Sequence, residues 1–110
     1  MGQQYIYVIC ERADAKLVKI GFSKAPERRV GQLQTGHPAP LVLYHKEAVN
    51  NDLVRALEKV IHRTLAHKRK GGEWFALTPE DAVFEIQHAL MKHGDNLNLH
   101  TMLRNGTVIL

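Results

Sequence analysis

Tyr5-Ile6-Tyr7-Val8-Ile9-Cys10, followed after a short polar link by Leu17-Val18-Lys19-Ile20-Gly21-Phe22, decides the fold. Both runs are rich in Ile, Val and aromatic residues, which suit the pleated surface of a sheet. The first strand is read as residues 4–11 and the second as 17–22. Only Ala13-Asp14-Ala15 and its neighbours separate them, so the two form an antiparallel hairpin.

The chain is then read outward from this hairpin. Pro26 opens a helix, because proline is tolerated in a first turn and Glu27 suits the positive end of the dipole. Thr35-Gly36-His37-Pro38 stops it, with Gly36 expected in a left-handed cap. Leu41 to Val49 is a third strand. Asn50, Asn51 and Asp52 are N-cap candidates for a second helix to about His67, whose apolar stripe is Leu53, Leu57, Val60, Ile61. Lys68 to Gly72 reads as a basic turn, and Glu73-Trp74-Phe75 as a short extended piece. Thr78-Pro79-Glu80-Asp81 combines an N-cap, a first-turn proline and acids, and starts a third helix to about His93. Gly94 ends it.

The order β-β-α-β-α-(β)-α defines an α+β domain: a small antiparallel sheet of about three strands flanked by helices. It occupies residues 1–94. Residues 95–110 form a C-terminal extension in which Asn105-Gly106 marks either a tight hairpin or a tail that orders on a partner.

The whole chain has 110 residues, 45% hydrophobic and 24% charged, enough for one domain and its core. Its apolar runs are far shorter than the ~20 residues a membrane span needs. Met1-Gly2-Gln3-Gln4 opens no secretory signal, so a soluble, cytoplasmic protein with no membrane partner is expected. Cys10 is the single cysteine, which fits a reducing compartment, and it lies in an apolar run as a core residue. A formal charge of +4 favours a polyanionic partner, most simply nucleic acid.

Four places carry candidate chemistry: Tyr5 and Tyr7 on the first strand, Lys19 on the second, Arg29 on the first helix and Glu58 on the second. Tyr5 and Tyr7 share one strand face. At ~100° per residue, Pro26, Val30 and Leu33 define the inward face of the first helix; Arg29 lies about 60° from its centre and Arg28 about 160°. Arg29 therefore points towards the sheet and Arg28 into water. Glu58 falls on the shoulder of its helix's apolar stripe, where it can face a cleft. The plainer readings are a core-edge tyrosine, a Lys19 that snorkels outward, and a Glu58/His62 surface pair at i,i+4. His62/His67 and His88/His93 are i,i+5 pairs without a cysteine pair, so zinc is not suggested. Trp74 and Phe75 read as core anchors.

Taken in order, Tyr5-Ile6-Tyr7, Lys19-Ile20-Gly21 and Arg29 resemble the GIY-YIG endonuclease superfamily. Leu57-Glu58-Lys59-Val60-Ile61-His62 and Gly72-Glu73-Trp74-Phe75 resemble one branch of it more narrowly. That branch consists of short stand-alone domains labelled after a phage T5 open reading frame or a meiotically up-regulated gene. The resemblance spans about residues 5 to 90. It implies a phosphodiester hydrolase acting on DNA with Mg²⁺ (or Mn²⁺). Tyr7 is then the expected general base with Tyr5 beside it, Arg29 the phosphate holder and Glu58 the metal ligand. Such chemistry needs an activated water, neutralised phosphate charge and help for the leaving oxygen.

Three positions depart from the pattern. Lys19 stands where the superfamily name has tyrosine; a charged Lys19 near Tyr7 is expected to lower the phenol's pKa. Leu33 stands where many members carry histidine. The closing asparagine has no match, since Glu73 lies in that region, and His62 is the candidate to supply a proton-transfer or phosphate-binding group. Lys24, Arg28, Lys68, Arg69 and Lys70 are the cations expected to contact the DNA backbone. A double-strand break needs two sites, which brings in a homodimer or sequential nicking. The rival readings are a nuclease fold that binds DNA without cutting, and a protein-interaction domain using residues 95–110.

Overall fold

Every residue from Ile6 to Cys10 of β1 (Gln3–Glu11) is buried in the computed structural model, which describes residues 3–14 and 16–94. Side chains of a strand alternate between faces, so an unbroken buried run means that both faces are covered. On one face Ile6, Val8 and Cys10 pack with Val18 and Ile20 of β2 (Val18–Ser23). Val54, Leu57 and Ile61 of α2 (Asn51–Thr64) and Ala82, Ile86 and Ala89 of α3 (Pro79–Ala89) close over them. On the other face Tyr7 and Ile9 pack with Val30 and Leu33 of α1 (Pro26–Gln34), Leu41 and Leu43 of β3 (Leu41–Asn50), and Trp74. The sheet is thus sandwiched between α1 and the α2–α3 pair.

The expected β1–β2 hairpin is present and antiparallel, with Tyr7 opposite Gly21 and Ile9 opposite Lys19. β3 pairs antiparallel on the other side of β1, with a register shift between Val8 and Ile9. Among the described residues the sheet has five strands, not about three: β4 (Arg69–Gly71) and β5 (Trp74–Phe75) extend it in the order β3-β1-β2-β5-β4. The segment that reads as a basic turn holds β4, whose three exposed residues leave no hydrophobic alternation in the sequence. Gly71 and Gly72, at φ +157° and +54°, make the bend that returns the chain as β5.

Local chemistry accounts for the helix ends. The Asp52 amide donates to Asn50 Oδ1 at 2.8 Å, and the Asp81 amide to Thr78 Oγ1 at 3.2 Å. Gly36 does not take the left-handed cap expected of it. Instead the Gly36 and His37 amides donate to Leu33 and Gln34 carbonyls, tightening the last turn. The Gln34 side chain holds the following bend by donating to the Ala39 carbonyl and accepting from the Leu41 amide. α2 ends at Thr64 and passes into a 3₁₀ turn, Ala66–Lys68, while α3 passes into a π turn over Leu90–Gly94. The readings made for residues 95–110 lie outside the described residues. Cys10 is in the core, and burial pushes its thiol pKa up, away from reactivity. Among the described residues, no helix is long and apolar enough to cross a membrane.

Candidate active site

Tyr7, Lys19 and Gly21 share one face of the hairpin, because Val18 and Ile20 take the opposite one. Gly21 is where the side chains of the site meet. A Cβ placed there would stand 2.6 Å from Tyr7 Oη and 2.8 Å from Glu73 Oε1. A side chain there would force Tyr7 and Glu73 to shift, so glycine leaves the space that the phenol and the carboxylate both approach.

β5 pairs with β2 at Val18 and Lys19 only, so among the described residues that edge of β2 is free of strand pairing from Ile20 onward. Both polar groups of Ile20 are used at that notch. Its amide donates to the Glu73 carbonyl at 3.1 Å, and its carbonyl accepts from His62 Nε2 at 2.8 Å. The notch thereby brings α2, which covers the opposite face, to the same edge as Glu73.

Tyr7 is 1% exposed, and burial raises its phenol above 10.0. The hydrogen bonding and charge of Arg29 oppose that rise, while the charges of Glu73 and Glu58 add to it. The expectation that Lys19 lowers this pKa is therefore overturned: the phenol shifts upward, and the lowering cation is Arg29. The charge of Lys19 is engaged elsewhere. Its Nζ lies 3.3 Å from Glu73 Oε1, 5.6 Å from the centre of the Trp74 ring, and the side chain is only 9% exposed. Lys19 does not snorkel outward.

Glu58 lies on the inward shoulder of α2 with a side chain 15% exposed. Burial, then the charge and hydrogen bonding of Glu73, push its carboxyl up to about 7; Arg55 and Lys19 act the other way. Its Oε2 is buried without a hydrogen-bond partner. The histidine one turn on stands 4.0 Å from that oxygen, but His62 Nε2 carries the hydrogen donated to Ile20, and the ring sits edge-on to Phe75. Its Nδ1 is the nitrogen left for proton transfer.

Arg29 is half-buried and Arg28 exposed, as the helix phase predicts. The Arg29 side chain also donates to Gln32 at 3.4 Å. Tyr5, partly buried on the face of Tyr7, lies under Lys46 Nζ, 4.9 Å from its ring centre. Lys24, Arg28, Lys68, Arg69 and Lys70 are all exposed, and Arg69 Nε donates to the Gly72 carbonyl at 2.6 Å.

His37 escaped the sequence reading, and Glu73 entered it only as the residue in the region of the closing asparagine, with no role of its own. His37 stacks on Trp74 with ring centres 5.6 Å apart and sits 2.6 Å from Glu11 Oε2. The signal for Glu73 was a lone carboxylate between a Gly-Gly bend and two core aromatics, where a purely solvated acid has no reason to be.

Among the described residues, no three His, Cys, Asp or Glu side chains form a set that could hold a metal ion. Glu58, with an orphaned buried oxygen, and Glu73 both belong to the notch around Ile20. Mg²⁺ is commonly held by one or two carboxylates with water completing its shell, so the donors present fit such a cation.

Tyr7, Arg29 and Glu58 are thus set around one sheet edge of a small α+β domain. The chain belongs to the T5orf172 domain family, whose model matches residues 4–89, and which is associated with the GIY-YIG-like nuclease fold. No curated protein and no solved structure matches the chain.

Proposed function

We propose that the protein is a divalent-cation-dependent endonuclease that hydrolyses phosphodiester bonds in DNA. The observation that carries this reading is the convergence of Tyr7, Arg29 and Glu58 from three separate elements, with Glu58 Oε2 buried and unpartnered. Arg29 holds a non-bridging oxygen of the scissile phosphate and offsets the charge that builds there. Tyr7 Oη orients the attacking water and, in its ionised form, takes the proton as the new bond to phosphorus forms. Glu58 holds Mg²⁺ or Mn²⁺, which when bound supplies charge neutralisation and assistance to the leaving oxygen. Glu73 anchors Lys19 beside this group, and His62 fixes α2 to β2, so that Glu58 is presented at a set depth. The exposed cations on α1 and β4 supply the non-specific grip on the DNA backbone.

A second reading is a module that binds DNA without cutting it. It is favoured by the upward-shifted phenol of Tyr7 and by the engagement of Lys19 with Glu73. Plasmid nicking with Mg²⁺, with EDTA, and with Glu58→Gln decides between them. Metal-dependent nicking that the variant loses supports the nuclease. Binding with no nicking under any divalent cation supports the binding module.

A further inference from the structure

We propose that Glu73 is a second carboxylate of the cation site, and that the buried ammonium of Lys19 neutralises it until the cation arrives. The inference rests on the metal-dependent reading above and adds a residue to it. Three observations lead there.

The first is position. Glu73 Oε1 would stand 2.8 Å from a Cβ on Gly21, on the side where Tyr7 Oη would stand at 2.6 Å. The carboxylate and the hydroxyl meant to handle water are thus both drawn to one point of the sheet face. A purely structural acid on a basic ribbon would turn outward to Lys68, Arg69 or Lys70, all of which are exposed.

The second is the state of the two acids. Among the described residues Glu58 Oε2 is buried and has no hydrogen-bond partner, and it stands 4.0 Å from His62, whose Nε2 donates to the Ile20 carbonyl while the Ile20 amide donates to the Glu73 carbonyl. Two acidic residues gathered at one notch, one with an orphaned carboxylate oxygen, are better matched to a hard dication than to each other.

The third is Lys19. Its side chain is 9% exposed, and Glu73 is its salt-bridge partner at 3.3 Å. An ammonium here plays the part of a monovalent counterion supplied by the chain itself. A dication bound to Glu58 and Glu73 displaces that role and leaves the Lys19 charge available to an incoming phosphate.

The test is a Mn²⁺ titration of the full chain, followed by the electron-spin signal of the free ion, with circular dichroism to verify folding. The wild type is expected to bind one Mn²⁺. Glu73→Gln should weaken binding by tenfold or more, Glu73→Asp should recover part of the loss, and Lys19→Met should tighten binding several-fold. The opposite signs at Lys19 and Glu73 distinguish a ligand-and-counterion pair from a mere structural bridge, whose two halves would fail together. If Glu73→Gln is unfolded, Lys19→Met still decides: unchanged or weaker Mn²⁺ binding overturns the proposal. Wild-type affinity in a folded Glu73→Gln overturns it as well. If the wild type binds Mn²⁺ and Glu58→Gln does not, the broader metal reading survives that outcome. If the wild type binds no Mn²⁺, both are overturned.

Discussion

The hydroxyl of Tyr7 occupies the volume that a side chain on Gly21 would need, at 2.6 Å from the Cβ position, with Tyr7 Cζ at 2.8 Å. Gly21→Ala should therefore lower stability by about 1–3 kcal/mol, because Tyr7 is 1% exposed and has little room to move. Urea unfolding measures the loss. Adding Tyr7→Phe should recover only part of it, since the ring carbon still collides.

Arg29→Ala should cripple cleavage, whereas Arg28→Ala should cause only a mild loss of DNA binding. Arg29 acts on the Tyr7 phenol and is half-buried; its neighbour points into water. Nicking rates and binding curves for the two variants check this, and equal small effects would remove α1 from the phosphate site.

Glu58→Gln should slow cleavage by roughly 10²–10³, the scale of losing ~3–4 kcal/mol of electrostatic stabilisation, while DNA affinity holds or rises slightly. Without metal the same variant should be the more stable protein at pH 8. The folded carboxyl titrates at about 7, above its ordinary 4.5. Its favourable contribution is complete below pH 4.5 and disappears as pH rises through 7, so ionised Glu58 then costs up to about 3 kcal/mol. Melts in EDTA at pH 4.5 and pH 8 should show the variant's advantage only at the higher pH.

With Mg²⁺ saturating, the cleavage rate should climb with pH between 7 and 9 by nearly tenfold per unit. Burial holds the Tyr7 phenol above 10.0, so the ionised fraction grows throughout that interval. A flat profile would make Tyr7 a water-orienting group only, and Tyr7→Phe measured at both ends of the range would show which role it has.

DNA affinity should fall steeply from low to physiological salt and vary little with sequence. The chain carries +4, and Lys68, Arg69 and Lys70 are exposed together beside the site. Fluorescence anisotropy over a salt series gives the slope; binding indifferent to salt would contradict the expectation.

The hairpin was legible because Tyr5–Cys10 and Val18–Phe22 are apolar enough to demand burial, and the α3 start because Thr78, Pro79 and Asp81 act locally. The Arg28/Arg29 contrast followed from helix phase alone. What stayed hidden depends on distant groups. β4 has no buried residue and β5 has two residues, so neither leaves a periodic trace. The upward shift of the Tyr7 phenol arises from how tightly α1 and Trp74 close over that face. The engagement of His62 with the Ile20 carbonyl joins positions far apart in the chain. Gly36 kept ordinary backbone angles because the Gln34 side chain had already secured the bend.

The outermost strand, Arg69–Gly71, has one side paired with β5 and the other turned to solvent. An open strand edge is a template for the backbone of another chain. Here the template is three residues long, ends in glycine and carries two cations. A second copy approaching edge-on would bring Arg69 and Lys70 against their own kind and find almost no ladder to extend. At this edge of the sheet the ribbon that offers positive charge to a polyanion thus also discourages pairing with a second copy, and raising the salt should weaken both properties at once.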